Sequence, residues 1–365
     1  MHIIITAGDP SADVHAARLM AAIRLQVPEV IFEGFGGPAM EMEGLRSIAR
    51  VQDLAVTGFW EVAKRIRYFT KLLSRCAYLF VTRKPKLFIP VDYPGFNMRL
   101  AAKAKASGVP VAWYIAPQLW AWGKNRATNL ASVVDLLMVV FPFEVDFFSQ
   151  YGIRTTWVGH PFVAPKQHRN ADEEKTVLLM PGSRTQELRH HIPLLENVIT
   201  RLPDTLGFAP RVVVPRARLV SKGALVSLET LGAKITDDAH AAMLNAHVGL
   251  VKAGTSTLEA ALLDLPFATY YKTSWLSYMI SKRLVSVDTV TMMNLLLQQN
   301  VAREFIQQRA TPKEMTREIA SLITNTHRRE EFLHACAEVR LLLGVDNNQT
   351  TAANRAANAV VEFLQ

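Results

Sequence analysis

LFIPVDYPGFN, residues 87–97, sets an apolar run ahead of a carboxylate and a turn. Leu87, Phe88, Ile89, Pro90 and Val91 are the length of a strand and carry no polar residue, the pattern of a strand buried on both faces of a parallel sheet. Pro94 and Gly95 then predict a turn, with a helix starting near Phe96 or Asn97. Asp92 therefore falls at the carboxyl edge of a sheet, where open α/β folds bind their ligands. A carboxylate there serves either as a general base or as a plain helix cap and turn former.

The same strand-then-helix grammar runs outward in both directions. Ile3 to Thr6 reads as a strand followed by a helix from about Asp13. Ile31 to Phe35, Val109 to Ile115 and Leu136 to Val140 read as further strands. Such alternation predicts a parallel, doubly wound α/β sheet. Between residues 162 and 176 the chain turns polar and loses its pattern, as a linker does. The pattern restarts at Val177 to Met180, Arg211 to Val214 and Val248 to Val251, so the second half is another Rossmann-like unit, and from about Lys313 the chain is helical. At 365 residues there is room for two cores.

Composition narrows the class. Apolar residues make up 50% of the chain and charged ones 20%, which excludes a disordered protein. Cys76 and Cys336 stand far apart with no CxxC spacing, so neither a zinc site nor a disulfide framework is expected, and a reducing cytosolic compartment is the simpler inference. No signal peptide is expected, because no basic segment precedes the first apolar run and that run is short, and no stretch approaches the ~18 apolar residues of a membrane span. The net charge of +9 implies an anionic partner: nucleic acid, anionic lipid or a phosphorylated substrate.

Much of that charge is local. Lys64, Arg65, Arg67, Lys71, Arg75, Arg83, Lys84 and Lys86 face Glu61 alone, interleaved with Phe59, Trp60, Ile66, Tyr68, Phe69, Leu72 and Leu73 at mostly helical spacing. This basic amphipathic helix is either a solvated surface helix or one that lies on an anionic membrane. No nucleic-acid module accompanies it.

Two turns in the second half have the make-up of anion sites. VLLM leads into PGSR (181–184), a glycine turn at a helix start with Arg184 beside it. HVGLV leads into KAGTSTLEA (252–260), where Gly254 permits close approach, Thr255, Ser256 and Thr257 supply hydroxyls and amides, and Glu259 is placed to accept from ribose hydroxyls. Each is also what an ordinary capped helix looks like. Neither a P-loop nor a clean GxGxxG is present. His160, His190 and His191 read as structural histidines, and Trp113, Trp120 and Trp122 either stack on substrate or fill the core.

Taken together, these segments resemble the lipid-A-disaccharide synthases, inverting glycosyltransferases of GT-B fold (family 19). The resemblance rests on GDPSAD (8–13), GFGGPAMEMEG (34–44), AVTGFWEV (55–62), VDYPGFN (91–97), YIAPQLWAWGKNR (114–126), FPFE (141–144), VGHP (158–161), PGSRTQE (181–187), AGTSTLEAAL (253–262) and MNLLLQQ followed by REFIQ (303–307). It implies two Rossmann-like domains facing an interdomain cleft, the first about 1–165 and acceptor- and membrane-facing, the second about 166–344 and UDP-sugar-binding, with a last helix (345–365) able to pack back on the first.

The implied reaction joins UDP-2,3-diacylglucosamine to 2,3-diacylglucosamine 1-phosphate, giving a β(1→6) disaccharide 1-phosphate and UDP. Asp92 matches the family's proposed base. Ser183, Arg184, Gly254, Thr255, Ser256 and Thr257 fall on the UDP side, Glu259 on its ribose, and Asn294, Glu304 and Gln307 line the nucleotide. Ser11, Asp13, Asn97, Gln118 and Trp120 are acceptor-side candidates, and Phe59, Trp60, Lys64, Arg65, Arg67 and Phe69 face the membrane. No cofactor or metal is implied. The partners are the two acylated sugars and an anionic membrane, with no nucleic acid, and a homodimer is compatible with the sequence. The implied location is cytoplasmic, on the inner face of the inner membrane.

Two positions depart from the family: Ala12 stands where its first loop has a second glycine, and Arg303 where a proline commonly precedes the glutamate. A UDP-sugar 2-epimerase-like isomerase and a non-catalytic, membrane-attached UDP-sugar binder remain as alternative readings.

Overall fold

A computed structural model describes residues 1–50, 66–121, 123–163, 175–217, 220–275, 279, 289–344 and 350–365. Phe59, Trp60, Lys64, Arg65, the AVTGFWEV motif, Trp122 and most of the expected linker lie outside the described residues. The chain divides into two compact units, Met1–Val163 with Asp346–Gln365, and Ala164–Val345.

In the first unit the described strands are β1 (His2–Ala7), β2 (Ile31–Gly36), β3 (Arg46–Arg50), β4 (Leu87–Val91), β5 (Ala112–Tyr114), β6 (Leu136–Val139) and β7 (Thr155–Trp157). They form one sheet in the order β3-β2-β1-β4-β5-β6-β7, with every pairing parallel. Its helices are α1 (Pro10–Gln26), α2 (Pro38–Met42), α3 (Ile66–Arg83), α4 (Pro94–Ala106), α5 (Ala127–Ala131) and α6 (Phe143–Ser149). The strand order reverses between β1 and β4. That is the switch point of a doubly wound sheet, where the two strand ends splay open toward a ligand.

The two faces of this sheet bury different cores. Ile3, Ile5, Ile89 and Val91 pack with α1 on one face, and Ile4, Phe35 and Phe88 with Leu72, Cys76, Phe80 and Leu100 of α3 and α4 on the other. The outer face of α3 carries Arg67, Lys71, Arg75, Tyr78 and Val81, all exposed, while Phe69 turns inward with its ring 6.2 Å from Phe96.

The second unit repeats the plan. Its strands are β8 (Val177–Met180), β9 (Val212–Pro215), β10 (Lys234–Thr236), β11 (Val248–Lys252), β12 (Phe267–Tyr271) and β13 (Glu304–Ile306), in the parallel order β10-β9-β8-β11-β12-β13. Helices α7 (Thr185–Leu206), α8 (Val226–Thr230), α9 (Ala239–Asn245), α10 (Thr255–Leu262), α11 (Met292–Leu297), α12 (Pro312–Thr324) and α13 (Thr326–Leu342) follow, and α12 packs along α7. Here the order reverses between β8 and β11, so both glycine turns flank a switch point.

The last helix, α14 (Ala352–Leu364), belongs to the first unit. Ala353, Ala356, Ala357 and Val360 are buried at helical spacing against α1, and small side chains let the two backbones come close. Gln26 donates to Asn358 at 2.8 Å, and Arg355 Nε to the Val158 carbonyl at 2.8 Å.

Several boundaries differ from the sequence expectation for identifiable reasons. Helix α1 starts at Pro10 rather than near Asp13, because Asp9 caps it and proline suits the first helical position. Helix α4 likewise starts at Pro94, so Pro94 and Gly95 are helical and the turn before them is made by Asp92 and Tyr93. Strand β5 is confined to Ala112–Tyr114, with Val111 contributing only an isolated bridge to Phe88. Strands β3, β7, β10, β12 and β13 were not expected. Among the described residues no helix is long and apolar enough to cross a membrane.

Candidate functional site

Asp92 and Tyr93 both have positive φ, 47° and 50°. Side chains other than glycine's rarely tolerate that region, so two in succession need support from their surroundings. Asn97 supplies it. Wholly buried, it donates to the Asp92 carbonyl at 2.8 Å and to the Val91 carbonyl at 3.4 Å, and accepts from the Thr6 hydroxyl at 2.9 Å. The Asp92 amide donates to the Tyr114 carbonyl at 3.0 Å, tying the turn to β5.

The β1–β4 register pairs Ala7 with Val91, which brings Gly8 and Asp9 alongside Asp92 and Tyr93. A Cβ on Gly8 would stand 2.2 Å from the Tyr93 ring, so only glycine fits there. Asp9 accepts the Ser11 and Ala12 amides, each at 2.9 Å. Burial, and then the Asp9 carboxylate, push the Asp92 carboxyl up to about 6 against the pull of the Tyr93 amide. Asp92 is thus a carboxylate of raised basicity at neutral pH, suited to accept a proton from a hydroxyl.

Other acceptor-side candidates spend their polar atoms inside the fold. Asp13 is buried and accepts the amides of Gly37 at 2.7 Å, Ala39 at 3.0 Å and Met40 at 3.1 Å, which makes it the cap of α2. Trp120 is buried and donates its indole N–H to Glu144 at 2.9 Å. Glu144 also accepts the Val140 and Phe141 amides, and complete burial raises its carboxyl to about 7. Ala12 is helical, with its methyl in the core, so this loop makes no demand for glycine at that position. Ser11 and Gln118 remain exposed.

His15 and His160 lie near the Ser11 loop, the Ser11 hydroxyl being 3.4 Å from His15 Nε2. Phe162 contacts both rings. Burial holds His15 down to about 4 and, together with the neighbouring His15, holds His160 to about 3, so both are neutral at pH 7.

Asn97 invites a direct check. Asn97→Ala takes this donor from the buried Val91 and part-buried Asp92 carbonyls and the acceptor from the buried Thr6 hydroxyl, an expected cost of about 1–3 kcal/mol in urea unfolding. It also frees the Asp92 turn, and if Asp92 serves as a base its misaiming costs rate rather than binding. Steady-state kinetics should show kcat down about tenfold to a hundredfold, with the acceptor KM within about threefold.

In the second unit the PGSR turn is built around Glu187. Its Oε2 accepts the Ser183 amide at 3.2 Å and the Arg184 amide at 3.4 Å, while Oε1 lies 3.1 Å from Lys252 Nζ and 3.5 Å from Arg184. Two amides that the sequence offered to an anion are therefore taken by this carboxylate. Burial alone would raise the Glu187 carboxyl, but Lys252, the Ser183 amide and the Arg184 charge outweigh it and hold it below the usual range. A Cβ on Gly182 (φ 105°) would fall 2.6 Å from the same carboxylate. His191 accepts the Lys272 amide at Nε2 and lies 2.7 Å from the Pro181 carbonyl at Nδ1, fastening the ends of β8 and β12 together. Burial keeps its ring below the ordinary histidine value.

At the neighbouring turn Gly254 has φ 142°, and the buried Thr257 donates its hydroxyl back to the Gly254 carbonyl at 2.7 Å. Gly254 and Thr255 remain exposed, Ser256 is half-buried, and Glu259 meets His240 at 3.2 Å. Further along, Glu304 caps the start of α11: it accepts the Val290 and Thr291 amides, the Thr289 hydroxyl and the Asn294 side chain. Asn294 also clasps Ala302 through both backbone groups. Asn294 and Glu304 line an open groove of about 980 Å³ together with Gln298, Arg303 and Phe305. Gln307 (φ 55°) accepts the Thr273 amide at 3.3 Å, while its buried Nε2 has no partner among the described residues.

Sequence reading passed over Asp9, Glu187 and Lys252. A lysine as the last residue of a buried strand, next to a glycine turn, was the available signal for Lys252. Glu187 had none, because its partners are amides of its own turn and a side chain from a different strand.

The family model described as lipid-A-disaccharide synthetase (LpxB) matches residues 3–360. A lipid-A-disaccharide synthase of Anaeromyxobacter dehalogenans (strain 2CP-C) is 36% identical over 361 residues, covering 94% of this chain and 93% of the relative. One from Myxococcus xanthus (strain DK1622) is 33% identical over 378 residues, covering 99% and 97%. Among solved structures, a putative UDP-N-acetylglucosamine 2-epimerase from Listeria monocytogenes superposes with a TM-score of 0.65 at 10% identity, covering 99% of this chain and 94% of that one. The calicheamicin glycosyltransferase CalG4 gives 0.60 at 13% identity, covering 100% and 98%. At such identities the likeness is one of fold, and the fold is of GT-B type.

Proposed function

The chain belongs to the lipid-A-disaccharide synthetases, glycosyltransferases of lipid A biosynthesis, and from that membership we propose that Asp92 is the base of the transfer and that the turns of the second unit take the charge of the departing UDP. The acceptor is 2,3-diacylglucosamine 1-phosphate. Its 6-hydroxyl gives its proton to Asp92 as the oxygen attacks C1 of the donor sugar from the face opposite UDP. The C1–O bond to the diphosphate breaks, and the bonding pair leaves on the β-phosphate oxygen. Inversion at C1 gives the β(1→6) linkage.

The observation that carries this reading is the Asp92 carboxylate, aimed by a strained turn at the switch point of the first sheet and raised to about 6. Asn97 acts through Asp92. Ser11 and Gln118 keep exposed polar groups for the acceptor, whereas Asp13 and Trp120 act through the fold. In the second unit the exposed Arg184, the Ser183 hydroxyl and the amides at Gly254, Thr255 and Ser256 meet the diphosphate, as preorganised donors do at a developing anion. Glu259 takes the ribose. Gln307 Nε2, without a partner among the described residues, is available to the nucleotide, with Asn294 and Glu304 holding the wall beside it.

The substrates' acyl chains and phosphate call for an anionic membrane surface, and the exposed Arg67, Lys71 and Arg75 on α3 suit one. In flotation on anionic liposomes, replacing these three by glutamate should leave most of the protein unbound; undiminished flotation refutes the role. The reaction itself is tested by incubating the purified chain with both acylated substrates in detergent. Mass spectrometry should detect the disaccharide 1-phosphate, and its absence with both substrates present sinks the assignment.

A further inference from the structure

We propose that Lys252 is a second cation for the donor's diphosphate and that Glu187 is the residue that positions it. The inference rests on the reading that the turns of the second unit hold a nucleoside diphosphate.

Lys252 closes β11 at the switch point, between the turn after β8 and the turn after its own strand. Its side chain is largely covered but keeps 19% exposure, and its ammonium lies 3.1 Å from Glu187. The stem passes Gly182, where a Cβ would come within 3.3 Å of Lys252 Cδ. The ammonium reaches to Gly254, where a Cβ would be 3.5 Å from Nζ. Both glycines have positive φ, so neither place tolerates an ordinary side chain: the missing Cβ at Gly182 makes room for Glu187 and the Lys252 stem, and the missing Cβ at Gly254 leaves the ammonium uncovered on that side.

An ammonium has three N–H donors. Glu187 engages this one from below, and Tyr271 offers its ring face at 5.9 Å. A carboxylate already committed to two amides and facing two cations is a poor rival for a doubly charged phosphate. Glu187 neutralises one of the two cations, Arg184 and Lys252, so the cradle keeps a net positive charge for the leaving group. A pure structural clamp between β8 and β11 needs the Lys252–Glu187 contact and the glycine at 182 that makes room for it, but no bare backbone at Gly254 beside the ammonium.

The test is UDP titration into the full-length chain by calorimetry, with uridine measured on the same samples by competition. Taking the UDP-to-uridine affinity ratio separates phosphate recognition from any general damage to the fold. Lys252→Met should lower that ratio about tenfold, and Lys252→Arg should return it to within about threefold. Glu187→Gln should lower it less than Lys252→Met, because the ammonium is displaced and not lost. If the wild type binds UDP, Arg184→Ala weakens it and Lys252→Met leaves the ratio unchanged, Lys252 is only a clamp and the inference fails while the reading beneath it stands. If the wild type binds no UDP, the reading itself fails.

Discussion

Asp92→Asn is expected to lower kcat by about two to four orders of magnitude, the usual worth of a positioned general base. Asparagine keeps the size and the turn geometry and loses only the group proposed to take the proton. UDP affinity should therefore stay within about threefold, since the proposed reading assigns the nucleotide to the second unit. Stability should move the other way. The Asp92 carboxyl titrates at about 6 in the folded chain against 3.8 for an ordinary aspartate. Between those values the folded state holds more protons than the unfolded one, so the contribution of Asp92 to stability is full below the lower value and is lost as pH rises through the upper. At pH 7 the charged Asp92 is a net cost, and Asp92→Asn should melt no lower than the wild type. A variant that loses activity yet gains stability is the signature of a group kept for chemistry.

Asp13→Ala is expected to do the opposite. Three amides of the β2–α2 turn, those of Gly37, Ala39 and Met40, converge on one buried carboxylate, and alanine leaves all three without an acceptor. Each buried, unsatisfied donor costs about 1–3 kcal/mol before relaxation or water entry, so a loss of at least about 3 kcal/mol is expected. For a unit of this size that is on the order of 10 °C in Tm. Differential scanning fluorimetry reads it directly. A Tm within about 2 °C of wild type, with the acceptor KM raised instead, would return Asp13 to the substrate.

The contrast between these residues marks how far the sequence could be read. Asp92 was legible because an apolar run, a carboxylate and a helix start are local in the chain. The glycine turns were legible for the same reason. Asp13 and Trp120 looked alike as acceptor contacts because motif positions do not say where a side chain's hydrogen bonds go. Their partners, the Gly37 turn and Glu144, are set by tertiary packing. The Asp92 turn misled in a smaller way: Pro94 and Gly95 have turn chemistry, but proline also suits a first helical turn, and the support from Asn97 let Asp92 and Tyr93 make the bend. Strands β7, β10 and β13 are three residues long and carry charged or hydroxyl groups, so their pairing comes from the neighbouring strand and not from a pattern of their own. Lys252 and Glu187 meet only because β8 and β11 are neighbours in the sheet.

The most direct test of Asp92 as the base is the pH dependence of kcat/KM for the acceptor, taken from about pH 5 to 8 at saturating donor. The wild type should lose rate tenfold per unit below a break at about 6, as Asp92 takes up its proton. The residual rate of Asp92→Asn should lack that break. A wild-type profile flat across the range, or the same break surviving in Asp92→Asn, would contradict it.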